Sequence, residues 1–257
     1  MPENKITEFN LPTKIISGLG SVNTLAGNIR GFGDNVLLIT GKNSARQNGL
    51  LDRITKNISA TSEIRLTIFD RVDPEPSCDN VNQAMAVAKE KGSDIVVGMG
   101  GGSVIDVAKA VAALANKDSQ VEEFMAGREL LFPGIPCIAI PTTAGTGAEV
   151  TPNSVLTDRK RQIKESLRHP FIYPKMAIID AELTVTLPPK LTAYSGVDAL
   201  CQSMESYVST GANILTDSIA LQSIRLVSMN LRETCKNGSN VQARQNMLYA
   251  ALLSCIA

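Results

Sequence analysis

The sequence predicts an α/β N-terminal domain with a parallel sheet over residues 1–186, followed by an all-helical C-terminal domain over residues 187–257. Two observations predict this division. Short strand-like runs alternate with amphipathic segments through the first part of the chain, and such runs disappear after the double proline at 188–189. Apolar runs separated by amphipathic helices are typical of a parallel sheet that is covered on both faces.

The first domain contains four runs that we expect to form strands, most of them rich in β-branched residues or leucine: 35–40, 63–69, 94–100 and 136–143. Two segments between them place apolar residues at helical spacing, at 79–91 and 103–116. This alternation of strands and helices is the pattern of nucleotide-binding α/β domains.

The second domain is predicted to consist of three helical stretches, at about 192–208, 213–231 and 241–257. The last one ends in "YAALLSCIA", without the Gly, Asn, Lys or Arg that would satisfy the final carbonyl groups of a helix. We therefore expect the polypeptide to be a fragment and its helical domain to be truncated. The alternative is a natural C terminus that docks into a core.

The composition limits the classes of function. The 25 basic and 25 acidic residues give a formal net charge of zero, which offers no electrostatic reason to expect nucleic acid or a membrane surface as a partner. No apolar run approaches the roughly 18 residues of a membrane span. The first residues, "MPENKITEFNLPTK", lack the layout of a signal peptide. We therefore expect a cytoplasmic protein.

Cysteine and histidine usage restricts the chemistry further. Five cysteines stand at scattered spacings without a C-x-x-C pair, and we expect them to be reduced and mostly buried. The single histidine, His169, stands beside a proline and is expected to be a loop residue. A two-histidine metal site or a histidine-based triad is therefore hard to build from this chain.

The segment "DIVVGMGGGSVIDVAKA" (94–110) is the most informative one. A predicted strand runs into a glycine cluster, and a helix is expected to begin at Ser103. Glycines let the backbone approach a ligand closely, and the free N–H groups and positive end of a helix favour a phosphate. Ser103 is expected either to cap the helix or to donate to a phosphate oxygen. A glycine cluster alone is a weak signal, but its place between a strand and a helix favours phosphate binding.

A second loop, "IPTTAGTGAEVTPNSVLTD" (140–158), leaves the next predicted strand. Three threonines alternate there with glycines. Hydroxyls and bare backbone at the carboxyl end of a strand suit ribose and phosphate oxygens, whereas a simple polar turn explains the density of hydroxyls less well. We interpret both loops as parts of one binding site.

Asp198 and Gln202 lie one turn apart on the first predicted helix of the second domain. Residues four positions apart share a helix face. From the residues alone the pair is either half of a metal site or two polar residues on a solvated surface.

Four segments in this order resemble the iron-containing (group III) alcohol dehydrogenase family: "GGGSVIDVAKA", "PTTAGTGAEVT", "YPKMAIIDAELTVTLPP" and "LTAYSGVDAL". The resemblance runs from about residue 10 to the last residue. It implies a dinucleotide-binding N-terminal domain, a helical C-terminal domain that holds a divalent metal, and a substrate cleft between them. It also implies reversible hydride transfer between a nicotinamide cofactor and a small alcohol or aldehyde, and a homodimer paired through an edge strand in segment 6–22.

The resemblance carries over to individual positions. It implies pyrophosphate binding at Gly100, Gly101, Gly102 and Ser103, and further cofactor contacts by Thr142, Thr143, Thr146 and Lys164. Asp198 matches the first metal ligand of the family, Gln202 stands where the family has a histidine, and the other two ligand histidines would lie beyond residue 257. A carboxamide is a poorer ligand than imidazole for Fe²⁺ or Zn²⁺. We therefore expect this chain not to hold a metal tightly.

The end of the first strand predicts which dinucleotide is preferred. A dehydrogenase that prefers NAD usually presents a carboxylate there to the adenine ribose. This chain instead reads "GKNSAR", with Gly41, Lys42, Ser44 and Arg46. Two cations and a hydroxyl would accept a 2′-phosphate, so we expect NADP(H) to be preferred over NAD(H). The alternative is that both cations are solvated loop charges. Glu75 is a further departure, since the family often has asparagine near the cofactor there.

Three functions remain open on the sequence alone. The first is an NADP-dependent, metal-assisted oxidoreductase that interconverts an alcohol and its aldehyde or ketone. The second is a relative on the same scaffold, such as a maleylacetate reductase or a polyol-phosphate dehydrogenase. The third is a catalytically inactive nucleotide-binding module. Gln202 favours the third function, and the intact glycine loops favour the first two.

Overall fold

The structure of the protein, a computed structural model, describes residues 8–60 and 63–257. Its strands are β1 (Lys14–Ser17), β2 (Asn35–Gly41), β3 (Arg65–Val72), β4 (Ile95–Gly100), β5 (Cys137–Pro141), β6 (Asn153–Asp158), β7 (Ile163–Arg168) and β8 (Met176–Ile179). Its α-helices are α1 (Leu25–Ile29), α2 (Ser44–Gln47), α3 (Leu50–Ser59), α4 (Cys78–Lys91), α5 (Gly102–Leu114), α6 (Val121–Met125), α7 (Pro189–Tyr207), α8 (Ile214–Lys236) and α9 (Val241–Ile256).

Six strands form a parallel sheet in the order β1-β8-β5-β4-β2-β3. From β2 the chain first moves outward to β3 and then returns to the other side of β2 as β4, so the direction of winding reverses between β2 and β4. The register sets Thr40 beside Met99 and Gly100 beside Pro141. The carboxyl ends of β2, β4 and β5 therefore meet at one edge, and ligands of open α/β sheets bind at such a reversal.

The inner strands β2, β4, β5 and β8 are apolar on both faces because both faces of the sheet are covered. Leu37 and Ile39 of β2 belong to the core under α4 and α5, whereas Val36 and Leu38 belong to the core under α1 and α3. This alternation follows from the period of two residues along a strand. The predicted α/β domain with its parallel sheet is confirmed.

The helical region packs as α7, α8 and α9 against one another and against the end of the sheet. Its core joins Ala177 and Ile179 of β8 to Met247 and Leu248 of α9. The double proline does not form a linker, because Pro188 precedes α7 directly and Pro189 is its first residue. Proline suits this position, where its missing N–H has no helical partner. The domain boundary at 186/187 stays a prediction.

The structure adds elements that periodicity did not indicate. These are the helices α1, α2, α3 and α6, the strands β1 and β8, and the antiparallel hairpin of β6 and β7. β1 lies at the edge of the sheet, within the segment 6–22 whose first two residues lie outside the described part. No helix among the described residues is both long and apolar enough to cross a bilayer.

The cysteine and histidine expectations are met in part. All five cysteines are free, but only Cys78 and Cys137 are buried, and Cys201 is exposed. His169 lies in a loop before a short 3-10 turn, where its Nδ1 accepts a hydrogen bond from the Phe171 amide.

Candidate functional site

The glycine loop between β4 and α5 presents the amino end of a helix at the edge of the sheet. α5 begins at Gly102, after the extended residue Gly101, and no side chain caps it. Of the two roles that the sequence left open for Ser103, the role of helix cap is not observed, because the helix starts one residue earlier and its N-cap is Gly101. The Ser103 hydroxyl donates instead to the Pro74 carbonyl at 2.7 Å. The first amides of α5 therefore have no helical or side-chain cap partner, and the helix macrodipole adds positive potential there.

The second loop lies directly against the first. A Cβ atom added at Gly102 would come within 2.7 Å of the Thr146 hydroxyl oxygen, and one added at Gly101 would lie 3.3 Å from the Thr143 methyl carbon. The Thr142 amide also donates to the Gly100 carbonyl at 2.9 Å. The structure therefore brings together the two loops that their glycines and hydroxyls singled out in the sequence, and the glycines permit the close approach.

The second loop also packs against the helical region. A Cβ atom at Gly145 would lie 2.7 Å from the Ser195 Cβ on α7. Gly147 has a positive φ of 52°, and its Cβ would lie 2.5 Å from the Cys255 Cβ on α9. Glycine is required at 147 both for its backbone conformation and for this contact. The loop thus joins the sheet edge to α7 and α9.

A cleft of about 380 Å³ opens between the glycine loops and these helices. Six predicted site residues line it: Gly102, Ser103, Thr146, Lys164, Asp198 and Gln202. Cys255 also lines it, and the sequence offered no motif that would have identified this residue. Gly41, Lys42, Ser44 and Arg46 do not line this cleft and lie at the carboxyl end of β2.

Asp198 and Gln202 interact with each other across one turn of α7. The Gln202 amide nitrogen donates to the Asp198 carboxylate at 3.0 Å, while its carbonyl oxygen accepts from the Ser254 hydroxyl at 3.0 Å. The Cys255 sulfur lies 3.0 Å from the same carbonyl oxygen. Burial raises the pKa of the Cys255 thiol to about 12, so it remains a donor at neutral pH. If the Gln202 carboxamide were rotated by 180°, its oxygen would face the Asp198 carboxylate and repel it. The hydrogen bonds to Asp198 and Ser254 therefore fix the orientation of the carboxamide.

The residues present do not fit the divalent metal that the resemblance implies. The Gln202 oxygen is already engaged by α9, and its NH₂ group, which cannot ligate a cation, faces Asp198. Over residues 8–60 and 63–257, no group of three or more His, Cys, Asp or Glu side chains lies close enough to hold a metal ion. Asp198 alone is an incomplete ligand set for Fe²⁺ or Zn²⁺. Burial raises the pKa of Asp198, and the hydrogen bond from Gln202 opposes this shift.

The cations at the end of β2 are paired with carboxylates from β3 and the loop after it. Arg46 pairs with Asp70, and the Lys42 ammonium lies 2.5 Å from Asp73. The sequence interpretation found no acid in this stretch of chain, and the acids come from a neighbouring strand. Lys164 is similarly paired with Glu75 at 3.1 Å.

Asp106 and Lys109 on α5 hold the second loop in place, and neither was predicted from the sequence as a site residue. The fully buried Lys109 ammonium donates to the carbonyls of Ala148 and Thr151, at 2.7 and 3.2 Å, and lies 3.3 Å from Asp106. The Asp106 carboxylate accepts from the Val155 amide at 3.0 Å. Burial lowers the pKa of Lys109 and raises that of Asp106, while each charge opposes the shift of the other. The sequence did contain a signal that could have identified them, namely two opposite charges three residues apart in an otherwise apolar helix.

Two family profiles match this chain. The one described as iron-containing alcohol dehydrogenase matches residues 12–181. The one described as the C-terminal part of the Fe-containing alcohol dehydrogenase family matches residues 192–257.

Curated relatives align over most of this chain. A sulfoacetaldehyde reductase of Bilophila wadsworthia is 35% identical over 242 residues, which are 94% of this chain and 62% of the relative. An NAD-dependent methanol dehydrogenase of Bacillus methanolicus is 33% identical over 252 residues, which are 98% of this chain and 66% of the relative. The chain therefore spans 62% to 66% of the length of these two relatives.

Solved structures share the fold. The crystal structure of sulfoacetaldehyde reductase from Bifidobacterium kashiwanohense in complex with NAD⁺ superposes with a TM-score of 0.92 at 31% sequence identity. The match covers 98% of this chain and 67% of that chain.

Replacing Lys109 tests whether the buried ion pair holds the second loop. Lys109→Met leaves Asp106 without its cationic partner and removes the ammonium donor from the carbonyls of Ala148 and Thr151, so we expect a loss of about 3–5 kcal/mol in the free energy of unfolding. Lys89→Met is the matched control, because Lys89 forms an exposed pair with Asp118 and should cost less than about 1 kcal/mol. Urea unfolding followed by circular dichroism measures both variants. Equal losses in the two would contradict the assigned role of Lys109.

Metal analysis tests whether the hydrogen-bonded Gln202 carboxamide and Asp198 fail to bind a metal ion. We expect the purified 257-residue chain to retain neither Fe²⁺ nor Zn²⁺ after dialysis, and its thermal midpoint to be unchanged when either ion is added. Elemental analysis and a thermal-shift assay measure these quantities. One metal ion per chain in the wild type, lost in Asp198→Asn, would overturn this interpretation.

Proposed function

The chain belongs to the iron-containing alcohol dehydrogenase family, and we propose that it binds a nicotinamide dinucleotide at the glycine loops and interconverts a small alcohol with its aldehyde or ketone. The members of this family are alcohol and aldehyde oxidoreductases. One observation carries the proposal: the uncapped amino end of α5 faces a cleft at the point where the winding of the sheet reverses. Such an edge combines exposed amides, a helix dipole and room for a ligand.

In this proposal the diphosphate of the cofactor lies against Gly100, Gly101, Gly102 and Ser103. The hydroxyls of Thr142, Thr143 and Thr146 contact the cofactor from the second loop, and the Lys164 ammonium provides a positive charge at the far side of the cleft. The contact between the loops supports this assignment, because a Cβ atom at Gly102 would lie 2.7 Å from Thr146 and one at Gly101 would lie 3.3 Å from Thr143.

A nicotinamide dinucleotide held at the glycine loops would supply C4 as the acceptor of a hydride from the carbinol carbon, and the proton of the alcohol oxygen would pass to solvent water. The cofactor supplies the hydride chemistry, and the protein orients it. The loops fix the cofactor by their packing on α5, α7 and α9, which positions the reacting carbons. The donor set on α7 does not fit a metal, so no step of this proposal passes through one.

We further propose that NADP(H) is preferred over NAD(H). A Cβ at Gly41 would meet its nearest neighbour, Val104, at 3.7 Å, so packing does not require glycine there. The glycine leaves β2 without the carboxylate that binds a ribose 2′-hydroxyl. Lys42, Ser44 and Arg46 follow it. Lys42 and Arg46 are exposed in their pairs with the partly buried Asp73 and Asp70, and ion pairs with an exposed cation are weak enough for a phosphate to compete with them.

The substrate is proposed to be a small alcohol or aldehyde, as the names of the relatives suggest for those proteins. A second candidate is a catalytically inactive nucleotide-binding module, which the engaged carboxamide of Gln202 favours. Dinucleotide binding without NADPH-linked reduction of a panel of aldehydes, sulfoacetaldehyde included, would select the second candidate.

Two further expectations belong to the same proposal. Among residues 8–60 and 63–257, β1 is an edge strand with a partner on one side only, and pairing of its other side with a second copy would form a homodimer. The free cysteines are compatible with a reducing compartment such as the cytoplasm.

Adding a carboxylate to the glycine loop tests the proposed cofactor site. Gly101→Asp places negative charge and bulk at the amino end of α5, so we expect dinucleotide affinity to fall at least about tenfold, equivalent to about 1.4 kcal/mol. Fluorescence titration of NADPH measures this, with circular dichroism as a check on folding. Gly27→Asp is the matched control, because a side chain at this exposed position on α1 meets no atom within 4 Å. Unchanged affinity in folded Gly101→Asp would contradict the proposed site.

A further inference from the structure

The β6–β7 hairpin brings a third cation to the carboxyl end of β2. Arg159 lies just after β6, and its guanidinium is 3.1 Å from one oxygen of Asp73. The other oxygen of the same carboxylate is paired with Lys42. Asp73 is therefore paired with two cations, one on each carboxylate oxygen, that lie 117 residues apart in the sequence, at 42 and 159.

The backbone places this carboxylate beside the proposed ribose site. Gly41 at the end of β2 is in register with Val72 at the end of β3, and the Lys42 amide faces the Val72 carbonyl. Asp73 is the next residue. The buried Asn80 side chain accepts a hydrogen bond from the Asp73 amide and donates one to the Arg71 carbonyl. These bonds to α4 fix the start of the loop that follows β3.

The hairpin is anchored at the same place. The Thr157 amide donates to the Pro76 carbonyl at 2.8 Å, and Thr157 forms a bridge with Ser77. The Asp158 carboxylate accepts from the amides of Lys160 and Arg161, which shapes the turn that carries Arg159. Arg159 is thus directed at Asp73 by backbone contacts on both sides and not by the ion pair alone.

The net charge of the side chains around Asp73 is better suited to binding a phosphate monoester than to binding a carboxylate group. Lys42, Arg159 and the neighbouring Arg46 are positive, and Asp73 and Asp70 are negative, so one positive charge is left over. The hydrogen bond from Lys42 lowers the pKa of Asp73, so this carboxylate is ionised at neutral pH. A phosphate carries three acceptor oxygens and more negative charge than a carboxylate, and guanidinium groups bind it with two hydrogen bonds.

We propose that Arg159 binds the 2′-phosphate of NADP(H) together with Lys42, and that Asp73 occupies this position when no phosphate is there and so determines the selectivity between NADP and NAD. The inference rests on the proposed function and names a specificity determinant of that site. Asp73 competes with the phosphate for both cations and repels it. The Asp73 carboxylate can also accept hydrogen bonds from the ribose hydroxyls of NAD. Asp73 therefore reduces the difference in affinity between NADP and NAD.

Charge-neutral variants test this inference by the ratio of NADP⁺ to NAD⁺ dissociation constants, measured by calorimetry on the full chain. Asp73→Asn frees both cations, and we expect NADP⁺ to bind about tenfold more tightly relative to NAD⁺. Arg159→Gln removes one cation, and we expect NADP⁺ to bind about fivefold to tenfold more weakly while NAD⁺ is unaffected. Arg161→Gln is the matched control, because this exposed hairpin arginine pairs with Glu165 and should leave the ratio unchanged.

The outcomes separate this inference from the proposed function. If both dinucleotides bind and Gly101→Asp weakens them, but neither Asp73→Asn nor Arg159→Gln changes the ratio, the inference is wrong and the glycine-loop site stands. If Arg161→Gln changes the ratio as much as Arg159→Gln does, a general effect of hairpin charge replaces the specific role of Arg159. If neither dinucleotide binds to the wild type, both proposals are overturned.

Discussion

The contact between the two loops at the edge of the sheet is the constraint on which the rest of the site depends. Thr146 lies so close to Gly102 that no side chain fits between them, and Thr143 lies over Gly101. This contact leaves the first amides of α5 facing the cleft and sets the threonine hydroxyls beside them. The glycines are therefore needed for the packing of one loop on the other, and in the proposed function they also let the cofactor approach the backbone.

Buried and partly buried polar contacts hold the second loop against α5 and connect α7 to α9. Lys109 fixes the second loop to α5 through carbonyl groups, and Asp106 fixes the start of β6 through an amide. On the other side, Gln202 joins Asp198 on α7 to Ser254 on α9, close to Gly147. A polar group that is buried and satisfied makes one arrangement of the loops more stable than its alternatives. The same satisfaction engages the carboxamide oxygen of Gln202, which makes it unsuitable as a metal ligand.

Local sequence patterns predicted the parts of the fold that depend on neighbouring residues. The four predicted strand runs correspond to β2, β3, β4 and β5. The helices α4 and α5 also lie within a few residues of the segments that periodicity indicated. The hairpin and β8 were not predicted, because the hairpin strands are partly polar and β8 has only four residues, and β1 was expected only from the family resemblance, which implies an edge strand in segment 6–22. The pairing of Lys42 with Asp73 could not be predicted from local sequence patterns either. It depends on β2 and β3 being adjacent in the sheet, and the stretch "GKNSAR" contains no acid of its own.

The central claim is that the amides of residues 100–103 bind the diphosphate of a nicotinamide dinucleotide. Amide hydrogen exchange with and without saturating NADP⁺ measures this directly, because a bound phosphate protects the amides that donate to it. We expect slower exchange in the peptides that span residues 100–103 and 142–147. Unchanged exchange in both peptides, with protection appearing elsewhere in the chain, would contradict the claim.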